Sequence, residues 1–158
     1  MSGAGAPTPL APVDGRGLRV VVIAGTWHET ISNGLIAGAQ RTLDAAGAEH
    51  RLVRVPGSFE LAVAAQAAFA GGADAVVALG VIIRGGTPHF EYVSAAATDG
   101  LTRASLDAGR PIGFGLLTLD DEQQGLDRAG LPGSKEDKGA EAADAALRTA
   151  RVLAELRG

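Results

Sequence analysis

From Leu18 onward, short runs of β-branched residues alternate with longer segments rich in Ala and Leu. Three of the runs are almost continuous in apolar residues, which is typical of strands covered on both faces. The pattern predicts strands at Leu18–Ala24, Glu49–Val55, Ala75–Ile83 and Pro111–Leu117. It predicts helices at about Thr30–Ala46, Phe59–Ala70, Tyr92–Ala108, Asp121–Ala129 and Ala140–Leu156. This alternation favours a three-layer α/β sandwich, with a four-stranded parallel sheet and helices on both faces, but leaves the strand order open.

Local signals support these helix boundaries. Gly47, Gly71–Gly72 and Gly109 stand where helix ends commonly need a left-handed residue. Thr118–Asp121 has the spacing of a capping box at the start of a helix. Before the first strand, the segment Met1–Asp14 is rich in Gly, Ala and Pro. We expect residues 1–14 to form a flexible arm, or an extended segment on a neighbouring subunit, and residues 15–158 to form a single domain.

Composition narrows the function classes. The 158 residues include 14 Lys and Arg against 18 Asp and Glu, a formal net charge of −4, which disfavours a nucleic-acid partner. The absence of Cys excludes disulfides, thiolate metal sites and cysteine nucleophiles. The sequence has neither a signal-peptide pattern nor an apolar run long enough to span a membrane. We therefore expect a cytoplasmic protein without a membrane partner.

In parallel α/β sheets, ligands bind beyond the carboxyl ends of the strands, so the residues that follow each strand are the candidates for chemistry. Trp27 follows the first strand and is the only Trp in the chain. An exposed indole at that position stacks well on a planar heterocycle. The alternative is that Trp27 caps the core or fills a subunit contact.

The second strand leads into Pro56-Gly57-Ser58-Phe59-Glu60. Unpaired backbone N–H groups at this turn, together with the Glu60 carboxylate, suit a ligand that is rich in hydroxyl groups. A purely structural interpretation stays open, in which Ser58 caps the helix and Glu60 complements the helix dipole.

The third strand leads into Arg84-Gly85-Gly86-Thr87-Pro88-His89, the most informative stretch. Two glycines followed by a hydroxyl side chain favour a nest for an oxyanion or a phosphate. His89 is close enough to such a nest to transfer protons. The alternative is a glycine turn with a capping Thr87 and a surface His89.

Later residues add weaker signals. Phe114 lies in the fourth strand, where a core position is the simpler interpretation. Arg128 is suited to a bidentate phosphate contact, whereas Lys138 lies in a charged turn, and both also fit solvated surface positions. The sequence has no metal-ligand set, no catalytic carboxylate pair, no dinucleotide fingerprint and no Walker loop. The residues alone therefore favour a cofactor-independent enzyme that handles a planar ring and a small phosphate.

Taken together, these segments resemble the lumazine synthases of riboflavin biosynthesis. The similarity runs from about Leu18 to the C-terminus. It rests on Trp27 and on PGSFE at 56–60, GVIIRGGTPHFEYV at 80–93, PIGFGLLT at 111–118 and DRAG…DKG at 127–139. The resemblance implies a flavodoxin-like fold and a transferase. Such an enzyme condenses 5-amino-6-(D-ribitylamino)uracil with 3,4-dihydroxy-2-butanone 4-phosphate and needs no metal or other cofactor.

The resemblance also implies a role for each candidate residue. The pyrimidine ring would stack on Trp27, and Phe114 would form a wall of the ring pocket. The residues expected to hold the ribityl chain are Ser58, Phe59 and Glu60, and those expected to read the ring edge through their backbone are Val81, Ile82 and Ile83. The phosphate would bind to Gly86, Thr87 and Arg128, with His89 transferring protons and Lys138 lining the site from across an interface.

The sequence departs from the family pattern at three places. Ser58 stands where Ala is frequent, and Gly86 stands where a larger side chain is usual, which predicts a looser phosphate loop. The segment LPGSKEDKG at 131–139 looks longer than in members that build sixty-subunit icosahedral shells, and this favours a free homopentamer over the shell. Riboflavin synthase is a candidate partner. A non-catalytic lumazine- or flavin-binding protein and a structural shell protein are the competing hypotheses.

Overall fold

The computed structural model describes residues 4–7 and 11–158, and its centre is a parallel sheet. The strands are β1 (Arg19–Gly25), β2 (Glu49–Val55), β3 (Ala75–Ile83) and β4 (Ile112–Leu119), in the spatial order β2-β1-β3-β4. In the register, Val22 of β1 lies between Leu52 of β2 and Val77 of β3. The three-layer α/β prediction is confirmed, and the strand order matches a flavodoxin-like sheet.

The helices cover both faces of this sheet. Their bounds are α1 (Glu29–Ala46), α2 (Leu61–Ala70), α3 (His89–Ala108), α4 (Glu122–Leu126) and α5 (Lys138–Leu156), with a short 3-10 helix at Ser58–Glu60. One core cluster joins α1 and α5 to one side of the strands, and a second joins α2 and α3 to the other. Successive β1 residues alternate between the clusters, as the period of a strand requires. The central strands β1 and β3 are therefore apolar on both faces.

Several boundaries differ from those predicted. Helix α3 begins at His89 rather than at Tyr92, because Pro88 occupies its N-cap. The predicted helix at Asp121–Ala129 is shorter, since Ala129 pairs as an antiparallel bridge with Asp137. The capping residue of α4 is Asp121, whose side chain accepts a hydrogen bond from Gln124 N–H, so the capping box predicted from Thr118 is wrong.

The glycines at the helix ends behave largely as predicted. Gly47 and Gly109 adopt left-handed backbone angles, with φ of 75° and 64°, at the ends of α1 and α3. At the end of α2, the left-handed residue is Gly72, with φ of 99°, while Gly71 is the C-cap. These residues end each helix where the chain must turn back toward the sheet.

Helix α5 packs unusually close to its neighbours. A Cβ atom on Gly139 would lie less than 3.0 Å from the carbonyl oxygen of Leu35 in α1, and one on Gly113 would come equally close to that of Ala142. No side chain fits at either position without a backbone shift. This contact fixes the start of α5, where Lys138 lies, against α1.

The segment before β1 contacts the last helix. Arg148 donates a hydrogen bond to the carbonyl oxygen of Ala11, and Arg151 donates to that of Asp14. Residues 1–3 and 8–10 of the predicted arm lie outside the described residues, so the arm stays a prediction. Within residues 4–7 and 11–158, no helix is both long and apolar enough to cross a membrane.

Candidate active site

A cleft of about 650 Å³ opens at the carboxyl ends of β1, β2 and β3. This is the edge of the sheet where the strand order reverses between β1 and β3, the usual ligand position in such folds. Eight of the predicted site residues line the cleft: Trp27, Ser58, Phe59, Glu60, Val81, Ile82, Ile83 and His89. Three loops that are distant in sequence therefore meet around one cavity.

The Trp27 side chain is available for stacking. It is 68% exposed, which excludes the interpretation that it caps the core of this chain. One edge of the indole packs over Gly57, where a Cβ would come within 3.3 Å of the ring. The Thr26 hydroxyl donates to the carbonyl oxygen of Pro56 at 2.7 Å and ties the two loops together. The packing over Gly57 and the hydrogen bond to Pro56 therefore hold the aromatic face of Trp27 at the cleft.

His28, which directly follows Trp27, also lines the cleft. Its φ of 56° is the only positive φ among non-glycine residues in the described part of the chain. The imidazole ring centroid lies 6.4 Å from that of Trp27. Strained backbone of this kind is frequent at functional sites, although no pattern in the sequence marks it. Pro56, Gly57 and Val93 complete the lining.

The turn after β2 presents its backbone and one carboxylate. Glu60 accepts a hydrogen bond from Gly57 N–H at 3.0 Å, so its carboxylate organises the turn that it belongs to. Ser58 is buried and does not cap the helix, because Gly57 occupies the N-cap position. A Cβ on Gly80 would meet the Ser58 hydroxyl oxygen at 2.6 Å, so Ser58 packs directly on β3. The exposed Phe59 provides an apolar surface beside them.

The loop after β3 carries the proposed proton-transfer residue. His89 is the first residue of α3 and is exposed to the cleft. Its backbone N–H lies 3.5 Å from the Thr87 hydroxyl oxygen, which is the limit of a hydrogen bond. A Cβ on Gly85 or Gly86 would meet no atom within 4 Å, and neither residue has a positive φ. Within the chain, these glycines leave an open approach to the loop backbone.

The predicted site residues Arg128 and Lys138 lie close together in a different part of the chain. Arg128 donates to the carbonyl oxygen of Gln124 at 2.8 Å, and its Nε lies 3.7 Å from the Glu136 carboxylate. Lys138 Nζ lies 3.7 Å from the other oxygen of Glu136 and 3.0 Å from Glu141. The Glu136 carboxylate therefore lies between Arg128 and Lys138, a proximity that the sequence did not predict. This cluster does not line the cleft beside Trp27.

Phe114 also lies away from the cleft. It is half exposed on β4, opposite Ala78 of β3, and lines a groove beside α3. The core position suggested as the simpler interpretation of Phe114 is therefore wrong. Within one chain, Phe114, Arg128 and Lys138 therefore all lie away from the cleft. In the described residues, we find no group of three or more His, Cys, Asp or Glu side chains arranged to hold a metal ion.

Comparison with known proteins agrees with the motifs. Residues 17–154 match the family model described as 6,7-dimethyl-8-ribityllumazine synthase. A protein of that name from Leifsonia xyli is 75% identical over the full length of both chains. One from Clavibacter michiganensis is 73% identical over all of this chain and 99% of the relative, and one from a Nocardioides strain is 65% identical over 99% and 97%. The chain therefore belongs to the 6,7-dimethyl-8-ribityllumazine synthase family.

Proposed function

We propose that this chain condenses 5-amino-6-(D-ribitylamino)uracil with 3,4-dihydroxy-2-butanone 4-phosphate to form 6,7-dimethyl-8-ribityllumazine, with loss of phosphate and water. Family membership supports this reaction, because the relatives carry the name of the enzyme that makes this product. The observation that carries the proposal is the cleft itself. It combines an exposed indole, a polar turn and an imidazole around a space that fits a substituted pyrimidine.

The substrate positions follow from the chemistry of the lining. The pyrimidine would stack on Trp27, with its ring edge on the backbone of Val81, Ile82 and Ile83. The ribityl hydroxyls would bind the turn that holds Ser58, Phe59 and Glu60. The phosphate of the second substrate would lie beside Gly86 and Thr87. These positions would bring the reacting amine next to the ketone, with His89 in the same cleft.

The reaction would proceed by imine formation between the primary amine and the ketone, with loss of water. Elimination of phosphate follows, and the ribitylamino nitrogen then closes the ring with a second loss of water. His89 would transfer protons in these steps, which typically contributes about 10²–10⁴-fold. Holding two substrates face to face supplies more, with a general ceiling of about 7–11 kcal/mol.

The other part of the site would come from a second copy of the chain. Arg128 would bind the phosphate, Lys138 would line the site and Phe114 would form a wall, each from the neighbouring subunit. We propose a homopentamer, in which each subunit gives its cleft to one neighbour and its cationic cluster to the other. Cytoplasmic location and association with riboflavin synthase are parts of the same proposal.

The proposal is tested by mixing the purified protein with both substrates and following lumazine absorbance against a blank without protein. We expect acceleration that falls sharply in R128A at limiting butanone phosphate. A well-folded oligomer that binds the lumazine tightly but does not accelerate its formation would overturn the proposal in favour of a binding protein.

A further inference from the structure

Arg84 is the first residue after β3, and the proposed reaction assigns it no role. Its side chain makes three contacts. Nη1 lies 2.6 Å from the Glu91 carboxylate, Nε lies 3.1 Å from the Asp120 carboxylate, and the guanidinium lies 4.3 Å from the centre of the Phe90 ring. Two ion pairs and a cation–π contact therefore restrain the Arg84 side chain.

These contacts join the end of β3, the start of α3 and the end of β4. Phe90 and Glu91 belong to the first turn of α3, and Asp120 follows β4. The backbone N–H of Arg84 also donates to the carbonyl oxygen of Leu119 at 2.8 Å. The guanidinium therefore connects both ends of the loop 84–88 to each other and to the end of the neighbouring strand.

The loop itself has few other restraints. Positions 85 and 86 are open to solvent and pack against nothing that a Cβ would touch. Among the described residues, the Thr87 hydroxyl has only the long contact to His89 N–H noted above. The geometry of Thr87 and His89 therefore depends on how firmly the two ends of the loop are held.

Arg84 and Glu91 stabilise each other in their charged forms. Hydrogen bonds to Asp120 and then to Glu91 raise the pKa of Arg84. A hydrogen bond from its own backbone N–H, followed by the one from Arg84, holds the pKa of Glu91 below its ordinary value. Arg84 and Glu91 are consequently both charged at neutral pH.

We propose that Arg84 is a positioning residue, which acts through Glu91 and Asp120 to hold the loop 84–88 so that Thr87 and His89 face the butanone phosphate. This inference rests on the proposed function. We assign Arg84 a positioning role rather than a phosphate-binding role because its Nε and Nη1 already engage two carboxylates. Its conservative replacement by Lys keeps one charge but loses the fork that reaches both partners.

The test compares R84Q, R84K and the double variant E91Q/D120N in the lumazine assay. We expect R84Q and E91Q/D120N each to lower kcat/KM for the butanone phosphate about 10- to 100-fold, the scale of a misplaced catalytic group, and R84K to lie between them and the wild type. The KM for the ribitylaminopyrimidine should stay unchanged. In the E91Q/D120N background, R84Q should add little, because both changes remove the same contacts.

R16Q is the matched control. Arg16 is an exposed arginine that makes Nε and Nη2 contacts with Asp14 at the opposite edge of the sheet. The R16Q substitution should leave the KM values for both substrates unchanged. A second measurement needs no activity: relative to their intrinsic rates, the amides of Glu91 and Tyr92, which donate to the carbonyl oxygen of Pro88, should exchange faster in R84Q and in E91Q/D120N than in the wild type or R16Q.

The outcomes separate this inference from the proposed function. If R84Q raises the KM for the butanone phosphate while E91Q/D120N does not, Arg84 binds the phosphate directly and the positioning role is wrong. Equal exchange rates in R84Q and the wild type would also overturn it. If the wild type forms no lumazine, the proposed function fails, and the exchange rates alone decide whether Arg84 holds the loop.

Discussion

Replacement of Trp27 by Ala removes the flat surface on which the pyrimidine is proposed to stack. The side chain is 68% exposed, so only about one third of it contributes to the folded core. Full burial of a large apolar side chain contributes up to about 3 kcal/mol, so W27A should lower the free energy of unfolding by about 1 kcal/mol. The fold should therefore survive the substitution.

The effect of W27A on substrate binding should be larger. Stacking of a heterocyclic base on an aromatic side chain contributes about 1–3 kcal/mol, which corresponds to roughly 5- to 140-fold in affinity. We expect the KM for the ribitylaminopyrimidine to rise within that range, while the KM for the butanone phosphate stays nearly constant. W27F keeps an aromatic face and should retain most of the affinity.

Steady-state kinetics with each substrate varied in turn measures both constants, and denaturant unfolding measures stability. The stacking role would be refuted if W27A bound the pyrimidine as tightly as the wild type. It would also be refuted if W27F and W27A lost affinity equally, because the loss would then come from the packing of the indole over Gly57.

Two further predictions concern the scaffold and the proton transfer. G139A should lower the free energy of unfolding by about 1–3 kcal/mol, because its Cβ would overlap the Leu35 backbone, whereas G85A should change it by less than about 0.5 kcal/mol; equal midpoints in denaturant would contradict the packing argument. H89A should slow kcat by about 10²–10⁴-fold without abolishing turnover, because substrate proximity remains. Complete loss in single-turnover experiments would instead indicate a covalent role.

Much of the fold follows from local pattern. The bounds of β2 and β3 were predicted to the residue, because strands bounded by glycine- and proline-rich turns have strong local signals. The strand order was not, since it depends on contacts between residues far apart in the chain. The start of α3 was predicted at Tyr92 and lies at His89, because Pro88 serves as the N-cap at a position where a turn was expected.

Part of the candidate site likewise follows from the sequence, whereas the rest depends on tertiary contacts. Trp27, the turn at 56–60 and His89 each follow a strand, so topology alone brings them to one edge of the sheet. The left-handed backbone of His28 and the contacts of Arg84 with Asp120 leave no trace in a single sequence, because both depend on tertiary structure. The same holds for the meeting of Arg128 and Lys138 around Glu136.

The central claim is that two copies of the chain complete one site for lumazine formation. It is tested most directly by unfolding and refolding an equal mixture of R128A and the double variant W27A/H89A, with each variant refolded alone as reference. If the site is shared, sites with both wild-type parts form again in the mixed oligomer, and activity should reach about one quarter of the wild-type value. Activity equal to the mean of the two separate variants would contradict the account, because each chain would then hold its own complete site.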